Sequence, residues 1–330
     1  MNRMEEITDL LDLLIILGPT ASGKTSISLE LADYFDCEII SADSMQIYRE
    51  MDIGTDKVAG KIRRKIPHHL IDIVSPEEEF SVADYKKRAE KKISLINEKN
   101  NLPVMVGGTG LYINAVVENY LLPELPHTRL REVFKRYADN YGRNKLYRYL
   151  KQIDPQYAEK IHPNDIRRVT RALEIYFISG KTRTFFEYLQ EKQPCRYRYL
   201  KIGIKRRRKI LYRRINSRVD KMFARGLEDE VRELNKKYNL STTARQALGY
   251  KEILDYFSGD IDKNEARRLI KKRTRQLAKK QLSFFKRDHD ILWINPDNWE
   301  FQELIIRLAG IISEIFDLTN QKFKGLRAGI

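Results

Sequence analysis

The chain has 330 residues, 42% of them hydrophobic, enough to bury one large core or two modest ones, which excludes a disordered protein. Basic residues outnumber acidic ones 62 to 46, a formal charge of +16, and such an excess attracts polyanions, nucleic acid first among them. Cys37 and Cys195 are the only cysteines, without CxxC or His-rich spacing; neither a disulfide scaffold nor a zinc site is indicated, and a reducing cytoplasm fits.

In chain order, the apolar run Leu13 to Leu17 is far shorter than the ~20 residues of a membrane span and follows Glu5, Glu6, Asp9 and Asp12, so no signal peptide or transmembrane helix is expected. Bounded by Gly18-Pro19, it reads as a strand buried on both faces. A helix over Thr25 to Tyr34 and a strand at Cys37 to Ser41 complete a βαβ unit. Ser81 to Glu98 carries Val82, Tyr85, Ala89, Ile93 and Ile96 at helical spacing, and Leu102 to Val106 reads as a further buried strand. Alternating β and α elements predict an α/β fold, a doubly wound parallel sheet. From about Leu121 the texture changes. Pro123, Pro126, Pro155 and Pro163 punctuate short helical stretches rich in Tyr, Arg and Lys, which predicts a helical insertion over 121–199 within a core made of 1–120 and 200–330. Ile202-Gly-Ile204 returns to the sheet, and Leu211 to Leu234 and Asn264 to Phe285 have helical periodicity.

Gly18-Pro19-Thr20-Ala21-Ser22-Gly23-Lys24-Thr25 satisfies G-x-x-x-x-G-K-[ST] directly after a buried strand and at the start of a helix. Backbone N–H groups and the positive helix end bind phosphate oxygens there, Lys24 adds a mobile charge, and Thr25 can ligate Mg²⁺. A nucleoside triphosphatase usually supplies an Asp after a later strand to hold Mg²⁺; here that strand runs into Val106-Gly-Gly-Thr-Gly110. The missing Asp favours a transferase that holds a pyrophosphate group. Asp43, just past the second strand, falls at the sheet edge where such folds bind ligands, and is predicted to face the loop as a base or an indirect Mg²⁺ ligand. Thr109, between glycines, offers a hydroxyl at the same edge.

Basic residues cluster at Arg167, Arg168 and Arg171, at Lys205 to Lys209 with Arg213 and Arg214, and along Arg267 to Arg287, with tyrosines interleaved at Tyr137, Tyr141, Tyr147 and Tyr149. That mixture of charge and stacking surface suits RNA with exposed bases. His68, His69, His127, His162 and His289 lack metal-ligand spacing and read as loop or RNA-facing residues.

On these motifs the chain resembles the bacterial tRNA dimethylallyltransferases. The resemblance rests on the phosphate loop, Ser41-Ala-Asp-Ser-Met-Gln-Ile-Tyr48, Met51-Asp-Ile-Gly-Thr55, Pro67-His-His-Leu-Ile-Asp72, Val106-Gly-Gly-Thr-Gly-Leu-Tyr112, Asn164-Asp165 through Glu174, Arg245-Gln-Ala-Leu-Gly-Tyr-Lys251 and Arg273-Thr-Arg-Gln-Leu-Ala-Lys-Lys-Gln281. It implies a P-loop NTPase-like core and Mg²⁺-dependent transfer of a dimethylallyl group from dimethylallyl pyrophosphate to N6 of adenosine 37, 3′ to the anticodon of tRNA, with release of pyrophosphate. By the same resemblance Asp43 is the base and Arg208 helps neutralise the leaving group; Asp43, Ser44, Met45 and Gln46, together with Thr109, Arg131, Arg167, Arg168, Val169, Thr170 and Arg171, match tRNA-contact positions, and the insertion embraces the anticodon stem-loop. A monomer in the cytoplasm, without a membrane partner, is expected. Two departures bear on Arg208: Arg207 stands where the family usually has Asp, and Lys209 where it usually has an acidic residue. A P-loop small-molecule kinase and an RNA-binding protein with a nucleotide switch are the competing readings.

Overall fold

The computed structural model describes residues 10–123 and 129–318; Glu5, Glu6, Asp9, Pro126 and His127 lie outside the described residues. The elements are β1 (Leu11–Leu17), α1 (Lys24–Leu31), β2 (Cys37–Ala42), α2 (Gly60–Lys65), β3 (His68–His69), α3 (Val82–Asn97), β4 (Leu102–Gly107), α4 (Gly110–Val117), α5 (Leu130–Tyr141), α6 (Arg143–Ile153), α7 (Pro155–Glu159), α8 (Ile166–Ser179), α9 (Arg183–Glu191), β5 (Tyr197–Ile204), α10 (Arg208–Ala224), α11 (Leu227–Lys237), α12 (Thr242–Arg245), α13 (Tyr250–Phe257), α14 (Lys263–Phe285), β6 (Ile291–Ile294) and α15 (Phe301–Ile315). Among the described residues no helix is long and apolar enough to cross a membrane.

Six strands form one sheet in the order β3-β2-β4-β1-β5-β6, and every pairing is parallel. The continuous apolar runs follow from this, because a central parallel strand is covered on both faces. Leu14 and Ile16 of β1 pack with Ile27 and Leu31 of α1 and with Leu304, Leu308 and Ile312 of α15. The alternate residues Leu13 and Ile15 are equally buried and point to the opposite face, that of α3, which buries Tyr85, Ala89, Ile93 and Ile96. Ser81 caps α3 in a reciprocal capping box with Asp84, which explains its start. A second core joins α10, α11, α13 and α14 through Val219, Val231, Tyr250, Ile253 and Ile270, and encloses Tyr48 and Met51.

Three expectations need correction. The helix expected over Leu211 to Leu234 is two, α10 and α11, because Gly226 turns the chain at φ 93° between them. The edge strands β3 and β6 were not expected: two and four residues are too short for a periodicity signal. The strand returning at Ile202 begins earlier, at Tyr197, where its outer half is only partly apolar.

By contact density the chain divides into Met1–Val116 with Arg196–Ile330, and Val117–Cys195. The second unit is helical, α5 to α9, around Leu146, Leu150, Val169, Ala172 and Leu173. Buried Asp154 ties it together by accepting from Tyr157 N, Thr184 N and the Thr184 hydroxyl.

Candidate active site

The P-loop leaves β1 at Gly18, whose φ of 144° and a Cβ position 2.5 Å from the Ile204 carbonyl admit only glycine. Three cations then hold the loop's carbonyls. Lys24 Nζ donates to Pro19 O at 2.9 Å, Arg214 Nε to Ala21 O at 2.9 Å, and Arg206 Nε to Ser22 O at 2.7 Å. Arg206 is itself fixed by an ion pair with the buried carboxylate of Asp297. In a trans peptide the N–H points opposite to the C=O, so holding Ser22 O turns the Gly23 N–H the other way, beside the unpaired N–H groups of the first turn of α1. That is an anion cradle. Burial pulls the Lys24 ammonium down to about 8; nearby Asp43 opposes the shift and Arg218 adds to it.

Asp43 follows β2 on the sheet edge shared with the loop. Its Oδ1 accepts from Met45 N at 2.9 Å, and Thr109 Oγ1 accepts from Ser44 N at 3.1 Å while Thr109 N donates to Ala42 O. Gln46 accepts from the Ser41 hydroxyl at 2.9 Å and donates to Thr55 O at 3.3 Å. The Thr55 segment is held in turn by Glu230, which accepts from the backbone N–H groups of Asp52, Ile53 and Gly54 and from the Tyr250 hydroxyl.

A cavity of about 580 Å³ opens at this edge, lined by Thr20, Ala21, Gly23, Lys24 and Thr25 of the loop, by Asp43 and Gln46, and by Arg214 and Arg218 of α10. Gly18, Pro19 and Ser22 do not line it, and the Ser22 hydroxyl is buried away from it without a partner. Nor do Ser44, Met45 and Thr109: the first and last support the turn, and Met45 packs on the second core. Arg208 also falls outside the lining. It is exposed at the first turn of α10, its guanidinium 5.2 Å from the Tyr212 ring centroid.

Among the residues that reach the cavity without having been singled out for it are Arg214, Arg218, Lys221, Arg225, His68 and Gln281. A signal existed for the arginines, since Arg214, Arg218, Lys221 and Arg225 lie at i, i+4, i+7 and i+11 and all four line the cavity. His68 donates from Nδ1 to Ile66 O at 2.7 Å, and burial lowers its pKa; His69 is paired with buried Glu38, so neither is a free loop histidine. Gln281 carries no charge and no periodic signature.

In the helical unit, Arg131 and Arg171 share one buried carboxylate, Glu174, at 2.7 and 2.6 Å. Arg168 pairs with Asp165 at 3.3 Å, and Arg167 is exposed. Val169 and Thr170 are buried, so their side chains support the helix and do not reach a ligand on its surface. Among the described residues no group of three or more His, Cys, Asp or Glu side chains could hold a metal. Thr25, exposed on the cavity wall, suits a Mg²⁺ that keeps its waters and shares the phosphates of a bound ligand.

Residues 46–288 match the family model described as IPP transferase. The tRNA dimethylallyltransferase of Halothermothrix orenii is 52% identical over 294 residues, 88% of this chain and 90% of the relative, and that of a Thermoanaerobacter species 46% identical over 89% and 95%. Among solved structures, the full-length tRNA isopentenylpyrophosphate transferase of Bacillus halodurans matches with a TM-score of 0.70 and 38% identity, covering 94% of this chain and 98% of that one. A eukaryotic dimethylallyltransferase acting on tRNA matches with a TM-score of 0.80 and 28% identity, covering 97% and 82%. The sheet is thus the P-loop NTPase-like sheet of these transferases.

Proposed function

Since the chain belongs to the IPP transferase family and transfers a dimethylallyl group to tRNA, we propose that its donor is dimethylallyl pyrophosphate, held on the P-loop, and that the acceptor is N6 of adenosine 37, 3′ to the anticodon. The observation that carries this reading is the convergence of Lys24, Arg218 and Asp43 on one cavity, cations for a leaving pyrophosphate beside a carboxylate for a departing proton.

The N6 lone pair attacks C1 of the donor, the C1–O bond breaks, and pyrophosphate leaves. The N6 proton passes to Asp43. An exocyclic adenine amine is a weak nucleophile, so a positioned base and stabilisation of the leaving charge are what lower the barrier. Lys24, Arg214 and Arg218 supply that charge from the cavity wall; the role that the resemblance gave to Arg208 passes to them. Gln46, anchored at both ends of its amide, orients the base that Asp43 deprotonates. Mg²⁺ held by Thr25 and the donor's phosphates would add Lewis-acid neutralisation of the leaving group. Arg167, with Arg168 and Arg171 on the same helix, contacts tRNA phosphates. The target base must leave its stack to react. The enzyme works as a monomer in the cytoplasm.

Purified protein incubated with Mg²⁺, labelled dimethylallyl pyrophosphate and unmodified tRNA carrying adenosine 3′ to the anticodon should yield N6-dimethylallyladenosine on nucleoside analysis by mass. Label recovered at another atom or nucleoside, or phosphate transfer from ATP in place of prenyl transfer, would overturn the reading.

A further inference from the structure

Gln281, near the end of α14, touches two loops at once. Its Oε1 accepts from Thr20 N of the P-loop at 2.9 Å, and its Nε2 donates to Gly108 O, just past β4, at 2.9 Å. Both ends of the amide are used. The seat is tight: a Cβ on Gly108 would lie 2.4 Å from Gln281 Nε2, and one on Gly110 would lie 2.3 Å from the Phe284 ring. Gly108 and Gly110 therefore leave room for the last turns of α14, while Gly107 lies against Ala42 of β2, reasons the sequence pattern does not disclose. The helix itself is fixed on either side of Gln281 by Ala278, which packs with Leu211, Ile215 and Ala21, and by buried Phe285.

From Gly108 the hydrogen bonds run on through Thr109 to Ser44 N and to Ala42 O, the two peptides that flank Asp43. We propose that Gln281 is a positioning residue, which sets the distance between the donor's diphosphate on the P-loop and the Asp43 carboxylate. This inference rests on the proposed roles of the P-loop and Asp43. Beyond the β1–β4 pairing that ends at Leu17 and Gly107, no other side chain among the described residues is hydrogen-bonded to both loops, so without the amide each can shift by a fraction of an ångström. Reaction rates respond steeply to such shifts, whereas binding of either substrate responds little.

The test is a double-mutant cycle read in single turnovers with saturating dimethylallyl pyrophosphate and tRNA. Gln281→Met keeps the length of the side chain and removes both hydrogen bonds; Gln281→Glu is the second variant, which keeps the bond from Thr20 N and opposes a carboxylate to Gly108 O. Each is made alone and with Asp43→Asn. The expected result is a loss of rate on the order of 10–100-fold for Gln281→Met in the wild-type background, with the KM values of both substrates within about twofold. In the Asp43→Asn background the same change should cost less than about twofold, because the group being positioned is gone. Equal losses in the two backgrounds, or a wild-type rate in Gln281→Met, would overturn the inference. Full activity in Asp43→Asn alone would instead overturn the assignment of the base, so the two failures are distinguishable.

Discussion

The Lys24 ammonium makes donor binding depend on pH in a calculable way. Burial holds its pKa at about 8 in the free protein, against an ordinary value of 10.5. If the donor's diphosphate sits on the P-loop as proposed, it binds the charged form, so roughly 90% of the protein should be competent at pH 7, half at pH 8 and about 10% at pH 9. The Kd of the donor, or of pyrophosphate itself, should therefore be nearly flat below pH 7.5 and rise toward tenfold per pH unit above 8.5. A bound anion raises the lysine pKa, so at pH 8 binding should take up about half a proton. Calorimetric titration with dimethylallyl pyrophosphate, whose diphosphate is already fully ionised at pH 8, in two buffers of different ionisation heat reads that uptake directly. For stability the sign is opposite to that of a salt-bridged lysine. The folded pKa is depressed, so the folded state binds fewer protons than the unfolded one between about 8 and 10.5, and raising the pH through that window relieves a penalty present below it. Lys24→Arg, whose charge persists through this range, is the control and should abolish the slope. A Kd unchanged from pH 7 to 9.5 in the native protein, with no proton uptake, would refute the assignment of Lys24 to the diphosphate.

Further outcomes follow from the same geometry. Asp43→Ala should abolish transfer almost completely while tRNA binding, read by filter retention, stays within about threefold; normal turnover would remove Asp43 from the chemistry. Arg218→Ala, which deletes a cation from the cavity wall, should raise the donor KM by about tenfold or more and leave the tRNA KM unchanged, as steady-state kinetics would show. Arg167→Ala should weaken tRNA binding and reduce the slope of log K against log salt by about 1, whereas Val169→Ala should leave that slope alone and lower stability. Ile15→Ala, in the middle of the sheet and fully buried, should cost about 2–5 kcal/mol of unfolding free energy in a denaturant titration.

Much of this protein was legible without coordinates because its signals are local. A strand buried on both faces must be apolar at every position, so Leu13 to Leu17 and Leu102 to Val106 declared themselves, and the glycine and lysine spacing of the loop follows from backbone geometry within eight residues. Asp43 was placed by a rule of topology, the ligand-binding edge of a parallel sheet. What the tertiary structure decided is which distant side chains meet there. Arg214 reaches the P-loop across a sequence separation of 193 residues and Gln281 across 261, through the packing of α10 and α14 beside it, and no periodicity encodes a contact of that range. Charge alone does not distinguish the arginines of a basic run. Arg208 and Arg214 look alike in a basic run, yet the helical repeat turns one toward Tyr212 and the other toward the loop, and Arg131 and Arg171 spend part of their charge on Glu174. The physical reason is that a motif specifies the conformation of its own backbone, while the direction of a helix face is set only when its apolar side is buried.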